Sequence, residues 1–329
     1  MLTIKDSVHD HITVEGVAED LLDTPPVQRL RRVSQLGTVS LVYPSANHTR
    51  FEHSLGVYHL ACQALAHLDI ESPAAERVRA AAILHDIGHG PYSHNIEDLL
   101  HRRTGKYHDD VDDLLRRDPI AGVLERHGLE PTRVRDLITG RGRLGQLIAG
   151  ELDVDRADYL VRDAHHTGVP YGTIDHGRLV RGLRYVGDKL VLDEGNVQTA
   201  ESLLIARALM NLTVYSHHVA RISKSMLRRA TERLLGSTDV DAERVRRMDD
   251  AELLVNIRSA DSPAALGDRL ANRDLYKRAI WAELDNVSGD VIDANHDEIR
   301  EWERDIADVA DVSVGEVIVD IPPRPGIKE

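Results

Sequence analysis

Val78-Arg79-Ala80-Ala81-Ala82-Ile83-Leu84-His85-Asp86-Ile87-Gly88-His89-Gly90-Pro91-Tyr92-Ser93-His94 is the stretch that decides how this chain is read. Val78, Ala81, Ala82, Ile83 and Leu84 predict a strongly apolar helix. It runs directly into His85-Asp86. Gly88, Gly90 and Pro91 then break regular structure, glycine by permitting unusual backbone angles and proline by removing a donor. Neighbouring helical residues diverge by about 100°, yet an imidazole and a carboxylate can converge on one ion near a helix end. Mixed nitrogen and oxygen donors suit Mn, Fe, Zn, Ni or Mg to different degrees. Two ligands do not make a stable site, so further donors are required.

Working outward, two places supply them. Residues 47–49 are polar and turn-like, and a helix starts near Arg50, putting His53 in its first turns. Downstream, Asp153-Val154-Asp155-Arg156-Ala157-Asp158-Tyr159 places Asp155, Asp158 and Tyr159 on one helical face at i, i+3 and i+4. A set of His53, His85, Asp86 and Asp155 leaves coordination positions for water and a phosphate oxygen. Each piece alone has a plain structural reading: a His-Asp pair is common, His53 alone is a surface or core histidine, and the Asp-rich run is a solvated face. Their occurrence together and in order, with the glycine-histidine-glycine break, favours a site.

The remaining pattern is mainly helical. Residues 4–14 alternate like a strand or hairpin arm. Asp23 and Thr24 can cap a helix whose first turn takes Pro25 and Pro26, with Leu30, Val33 and Leu36 on one face. Ser72-Pro73 opens the apolar helix. Residues 140–145 read as a loop, 183–192 as a hairpin turning at Gly187-Asp188, 197–235 as a long helical region, and 312–321 as a β-type run before Pro322-Pro323. No internal repeat is evident. The expected architecture is a mainly α bundle over residues 1–230, with a small β-containing C-terminal lobe over 231–329 packed on it.

Composition narrows the class. The 329 residues carry 41 Lys+Arg against 55 Asp+Glu, a formal net charge of −14. That disfavours sequence-independent nucleic-acid binding, which needs lysine and arginine to displace counterions. There is no apolar run long enough to span a membrane and no secretory signal pattern. Cys62 is the one cysteine, so no intrachain disulfide forms, and a reducing cytoplasm is expected. Arginine over lysine and aspartate over glutamate suggest an acidic, hydrated surface suited to concentrated salt.

On these motifs the chain resembles the HD-domain superfamily of phosphohydrolases, and within it the deoxynucleoside triphosphate triphosphohydrolases. The shared stretches are Asp23-Thr24-Pro25, Gln28-Arg29-Leu30-Arg31, Gln35-Leu36-Gly37, Arg50-Phe51-Glu52-His53-Ser54-Leu55-Gly56-Val57, the run from His85 through His94, and the Asp153-to-Asp163 stretch with His165-His166. They cover residues 1–230 well and the remainder weakly. The resemblance implies an HD-domain helical bundle and a divalent cation (Mn, Fe, Mg, Ni or Zn) held by His53, His85, Asp86 and Asp155. It implies His89, His94 and His108 around the phosphates and leaving group. It also implies a nucleotide lined by Gln35, Leu36, Arg50, Asp153, Arg156, Tyr159, Asp163, Tyr215 and His218, with Asp163 near the 3′-hydroxyl and Tyr215 against the sugar. Asp23, Gln28 and Arg31 match part of an activator site, although Leu2 stands where the family carries a lysine there. His218 stands where a vertebrate member has a lysine. A homodimer or homotetramer is implied too.

Three functions remain open at this level: a triphosphohydrolase, a nucleotidase or phosphodiesterase on mono- or cyclic nucleotides, and a nucleotide-binding regulator without turnover. The salt-adapted surface carries its own expectation. The thermal midpoint should rise between low and molar salt, followed by circular dichroism; a midpoint that stays put removes that reading.

Overall fold

The computed structural model describes residues 1–322. Pro323 of the expected terminal run, and the last residues of the 231–329 lobe, lie outside the described residues. The chain opens with an antiparallel hairpin, Leu2–Asp6 against Asp10–Val14, in register Leu2↔Val14. Thr24 is extended and Pro25 starts a short helix, Pro25–Arg29, as the proline pair requires. That helix does not continue through residue 36 as the spacing of Leu30, Val33 and Leu36 suggested. After the 3-10 turn Leu30–Arg32 the backbone extends at Val33, because Ser34 forms a bridge with Thr49 that pulls this segment across the start of the next helix.

That next helix, Arg50–His67, is closed by a capping box between Thr49 and Glu52, which satisfies two otherwise unpaired amides. It packs against the helices Ala74–Leu84 and Val154–Thr167. Ala80, Ala81, Ala82, Ile83 and Leu84 have no exposed surface, so His85 and Asp86 emerge from the densest part of the core. The Val154–Thr167 helix starts on Asp153, whose side chain accepts from the Arg156 amide, and ends on Gly168 at φ 73°. The approach of this helix is so close that a Cβ on Gly56 would sit 1.8 Å from Asp158 Oδ1.

The hairpin at Leu183–Val186 and Lys189–Leu192 forms as expected. The region 197–235 is not one helix. Val197–Met210 is followed by a π turn, Asn211–Tyr215, and a new helix, His218–Ser237. A wide turn of this kind redirects a side chain, and here it carries Tyr215. Residues 140–145 include a one-turn helix, Gly142–Gly145. The expected β-type run at 312–321 pairs with nothing among the described residues: Val314–Glu316 is a 3-10 turn capped by Ser313, and the apolar residues beyond it have no strand neighbour. Among the described residues the strands therefore form two hairpins before residue 193, on an otherwise helical frame.

Two apolar cores form. The larger gathers residues from Ile12 to Ala220. The smaller is built by Met226, Leu227, Ala230 and Leu234 with residues 245–275, and it recruits Ile96 and Leu100 from beside the His85–His94 stretch. No helix is long and apolar enough to cross a membrane among the described residues.

The Gly56 contact gives a direct test. Gly56→Ala would force the Arg50 and Val154 helices apart or break the buried pair of Asp158 and Arg162, so a loss of about 3 kcal/mol is expected, read from the urea midpoint. An unchanged midpoint would mean the two helices need no such close approach.

Candidate active site

The first half of the site is a cluster of donors at the point where three helices meet. His53, His85 and Asp86 each present one ligand atom, and these lie within 4.8 Å of one another. His53 Nε2 is 3.3 Å from His85 Nε2 and 2.9 Å from Asp155 Oδ1; His85 Nε2 is 3.4 Å from Asp86 Oδ1. Donors sharing a cation at about 2.1 Å in octahedral geometry would be neighbours at about 3 Å, so the spacing suits a small divalent ion.

The other ring nitrogens support this. His85 Nδ1 is 2.8 Å from the Ala82 carbonyl, which makes it the protonated nitrogen and leaves Nε2 as a lone pair facing the cluster. His53 Nδ1 lies 2.7 Å from Asp158 Oδ2, so a carboxylate orients that ring in the same sense. Two imidazoles and the Asp86 carboxylate form the cluster, with the Asp155 carboxylate at its His53 edge, and such mixed nitrogen and oxygen donors suit Mn, Fe, Zn or Mg chemistry. With protons as the only cations at this centre, burial pushes the His53 imidazole down, but the Asp155 and Asp158 bonds overcome this and raise it to about 10. Burial would raise Asp86, yet Arg50, His85 and His89 hold its carboxyl well below the usual range.

The second half is a histidine pocket. His89 and His108 rings stack at 4.2 Å, with the His94 ring 4.7 Å from His89. Glu97 ties them: Oε2 accepts from His94 Nδ1 at 2.6 Å and Oε1 binds His108 Nδ1. Burial alone would raise the Glu97 carboxyl; the bonds from His108 and His94 hold it well below its ordinary value. Burial also lowers His108, but Glu97 more than offsets it and the ring is raised. His89 is driven well below its ordinary value by burial, then by Arg50 and His108, so it is neutral. Its Nε2 is buried without a hydrogen-bond partner, 3.4 Å from Asp86 Oδ1.

Arg50 joins the halves. Its Nη1 donates to Asp86 Oδ2 at 3.0 Å and its Nε to Ser93 Oγ at 2.8 Å. Beyond it lies Gln35, buried, with Oε1 unpartnered. Leu36 is half-buried beside it. Tyr159 places its ring 6.4 Å from both the His53 and Tyr215 rings. Tyr215 donates to Asp163 Oδ2 at 2.8 Å, and His48 Nε2 meets Asp163 Oδ1 at 2.8 Å.

Other expected site residues are placed differently from one another. Asp153 is buried as the helix cap, its oxygens bonded to the amides of Arg156 and Gly150 and to the Arg156 guanidinium. Burial and then Asp155 push its carboxyl up to about 8. Arg156 lies along the same turn, paired with Asp153. His218 is exposed, stacked on His217 at 4.7 Å. Gln28 and Arg31 bond to each other at 2.9 Å, and the Arg31 guanidinium sits 3.6 Å over the Phe51 ring. Asp23 is exposed one turn earlier.

Sequence reasoning missed Glu97, His48, His9, Arg162 and Asp6 as members of the site's support. Glu97 stands three residues after His94, a spacing that was readable. His9 Nε2 binds Asp158 Oδ1 at 2.6 Å from the N-terminal hairpin, which no local pattern announces. Asp158 was recognised as sharing a face with Asp155, but not as the carboxylate behind His53.

The HD domain matches residues 50–163 and the HD associated region matches residues 174–329. An uncharacterised protein of Methanocaldococcus jannaschii is 35% identical over 290 residues, covering 85% of this chain and 60% of its own length. The deoxynucleoside triphosphate triphosphohydrolase SAMHD1 homolog of Dictyostelium discoideum is 30% identical, over 97% of this chain and 66% of its own length. The chain thus spans only about three-fifths to two-thirds of these two relatives. Among solved structures, a phosphohydrolase from Bacteroides thetaiotaomicron superposes with a TM-score of 0.76 at 29% identity, covering 96% of this chain and 85% of that one. A hypothetical protein from Aquifex aeolicus gives 0.77 at 31%, covering 93% and 82%.

A cation that takes His53 Nε2 must displace the proton that Asp155 and Asp158 retain up to about pH 10. Apparent Mn affinity should therefore rise with pH below that value, with proton release seen by titration calorimetry in buffers of different ionisation enthalpy. Asp158→Asn should weaken Mn binding about 10–100-fold. An affinity equal to that of the unaltered protein would show that the carboxylate behind His53 does not tune it.

Proposed function

The chain belongs to the HD-domain family of phosphohydrolases, and within it we propose that this protein is a metal-dependent deoxynucleoside triphosphate triphosphohydrolase. The observation that carries the reading is Arg50, which bonds both Asp86 of the donor set and Ser93 beside the histidine pocket. It stands between the cation donors and the histidine pocket, so a cation and an anion could be held side by side, as a polyphosphate needs.

Water would attack the α-phosphorus, and the bond to the nucleoside 5′-oxygen would break, giving deoxynucleoside and triphosphate. A bound divalent cation supplies Lewis acidity and lowers the pKa of a water. Arg50 and a charged His108 offset charge on the phosphates. Glu97 fixes His94 through Nδ1, which leaves Nε2 free to hold the proton that the 5′-oxygen takes as it leaves. Burial, with the Arg50 and His108 charges, lowers the His94 ring, and the Glu97 bond is what favours its charged form; neutral His89 donates to or accepts from a phosphate-bound group without adding charge. Asp163, fixed by His48 and Tyr215, retains lone pairs for a sugar 3′-hydroxyl. Tyr215 closes the space where a 2′-hydroxyl would stand. Burial and then Asp163 push its phenol far up, so it remains a donor at neutral pH. Gln35 Oε1, unpartnered in the wall, is an acceptor awaiting the nucleoside. Leu36, Arg156, Tyr159 and His218 complete the lining in this reading, with Asp153 shaping it as the helix cap.

Chromatographic product analysis tests this. The protein is incubated with each deoxynucleoside and ribonucleoside triphosphate, and with mono- and cyclic nucleotides, with Mn or Mg, at high salt. Deoxynucleoside plus triphosphate is expected, reduced at least about a hundredfold in Asp86→Ala. Turnover only of mononucleotides or cyclic nucleotides would replace this reading with a nucleotidase or phosphodiesterase. Nucleotide binding with no turnover of any would leave a regulator.

A further inference from the structure

His94 is delivered by a turn that the backbone resists. Tyr92 stands at φ 55° and Ser93 at φ 54°, a left-handed region that side chains other than glycine rarely enter. Such a conformation persists only where the surroundings over-determine it. One anchor is inside the bundle: Ser93 Oγ donates to the Ser34 carbonyl at 2.6 Å while it accepts from Arg50.

The other anchor comes from far along the chain. Asp250 Oδ1 accepts from the Tyr92 amide at 2.6 Å, and Oδ2 accepts from the Ser34 amide at 3.0 Å and Ser34 Oγ at 2.6 Å. One carboxylate thus clamps the strained turn to the segment that carries Gln35. Its neighbours grip the other histidine loops. Arg246, 2% exposed, donates from Nη2 to the carbonyls of Tyr107 and Asp110 at 2.9 Å each, on either side of His108. Arg29 ties the Met248 carbonyl to those of Ile87 and His89.

We propose that Asp250 is a positioning residue for catalysis: it holds the left-handed Tyr92–Ser93 turn that sets His94 and the Arg50 partner Ser93. Residues 246–250, within the HD associated region, are on this inference a part of the active site's support. It rests on the phosphohydrolase reading for its kinetic consequence, not for its geometry. Asp250 itself touches neither the donor set nor the lining residues, so its loss should act on turnover more than on ligand binding and leave the metal site in place.

The test compares the unaltered protein with Asp250→Ala and Asp250→Asn. Alanine removes all three bonds. Asparagine keeps Oδ1 for the Tyr92 amide but turns an amide donor towards the Ser34 amide. Amide hydrogen exchange over residues 88–95, bound Mn, and kcat and KM with the four deoxynucleoside triphosphates are measured. Asp250→Ala should lower kcat about 10–100-fold, change KM by far less, keep Mn content near that of the unaltered protein, and speed exchange over 88–95. Asp250→Asn, which keeps the Tyr92 bond but opposes a donor to the Ser34 amide, should show the same changes at a smaller, several-fold size. A folded Asp250→Ala protein with unaltered kcat and exchange would overturn the proposal, as would exchange that rises equally throughout residues 226–275. Should the alanine variant not fold, the asparagine variant decides: a several-fold kcat loss with faster exchange over 88–95 supports the proposal, and neither change overturns it. Should the unaltered protein turn over no nucleotide, the function reading fails, and exchange over 88–95 alone still decides the clamp.

Discussion

Asp158 has no contact with solvent, and a carboxylate in that position must be matched by positive or donor groups or it will not stay charged. It is matched from three directions. Arg162 binds it from one turn on, His53 from the facing helix and His9 from the N-terminal hairpin. Burial alone would raise its pKa; Arg162 above all, with the histidines, holds it well below the usual range. Arg162 reaches on to Asp6 at 2.8 Å, so the hairpin is tied to the same network. The requirement to neutralise one buried charge therefore fixes the hairpin, the two central helices and the His53 ring together. Gly56 is the steric counterpart: only a residue without a Cβ lets the helices come near enough.

The donor set and the histidine pocket have opposite electrostatic needs, and Arg50 reconciles them. Asp86 and Asp155 make one side anionic for a cation. Arg50, with a raised His108, makes the other side cationic. Without Arg50 between them, Asp86 would face the histidine pocket with no intervening charge. Glu97 plays the smaller, similar part among the histidines. It gives two rings a common acceptor and so lets His108 carry charge beside a neutral His89.

The smaller core explains how the Tyr92–Ser93 turn can be strained yet ordered. Ile96 and Leu100 leave the His94 region and bury against Met226, Leu227 and Met248. That packing brings residues 246–250 against the loops bearing His89, His94 and His108. Burial of apolar surface supplies the proximity, and the carbonyl and amide contacts of Arg29, Arg246 and Asp250 convert it into fixed geometry. The part of the chain that reads least clearly in sequence thus meets the part that reads most clearly.

What the sequence determined by itself was local. The apolar run of residues 78–84 forecast a buried helix, and His85-Asp86 at its end forecast a ligand pair. The Thr49–Glu52 spacing closes the helix bearing His53, and Asp155 and Asp158 fell on one helical face. These follow from periodicity and capping, which act over a few residues. The tertiary structure alone decided which nitrogen of each histidine faces the cluster, that Asp158 stands behind His53 while Asp155 stands before it, and that the region 197–235 breaks at a π turn to aim Tyr215 at Asp163. It also decided that the helix from Pro25 stops before Val33, where the backbone extends and Ser34 bridges Thr49, and that the run at 312–321, β-like in composition, finds no strand to pair with among the described residues. Each of these outcomes depends on a partner distant in sequence, and a hydrogen bond or a buried charge selects its partner only once the helices have packed.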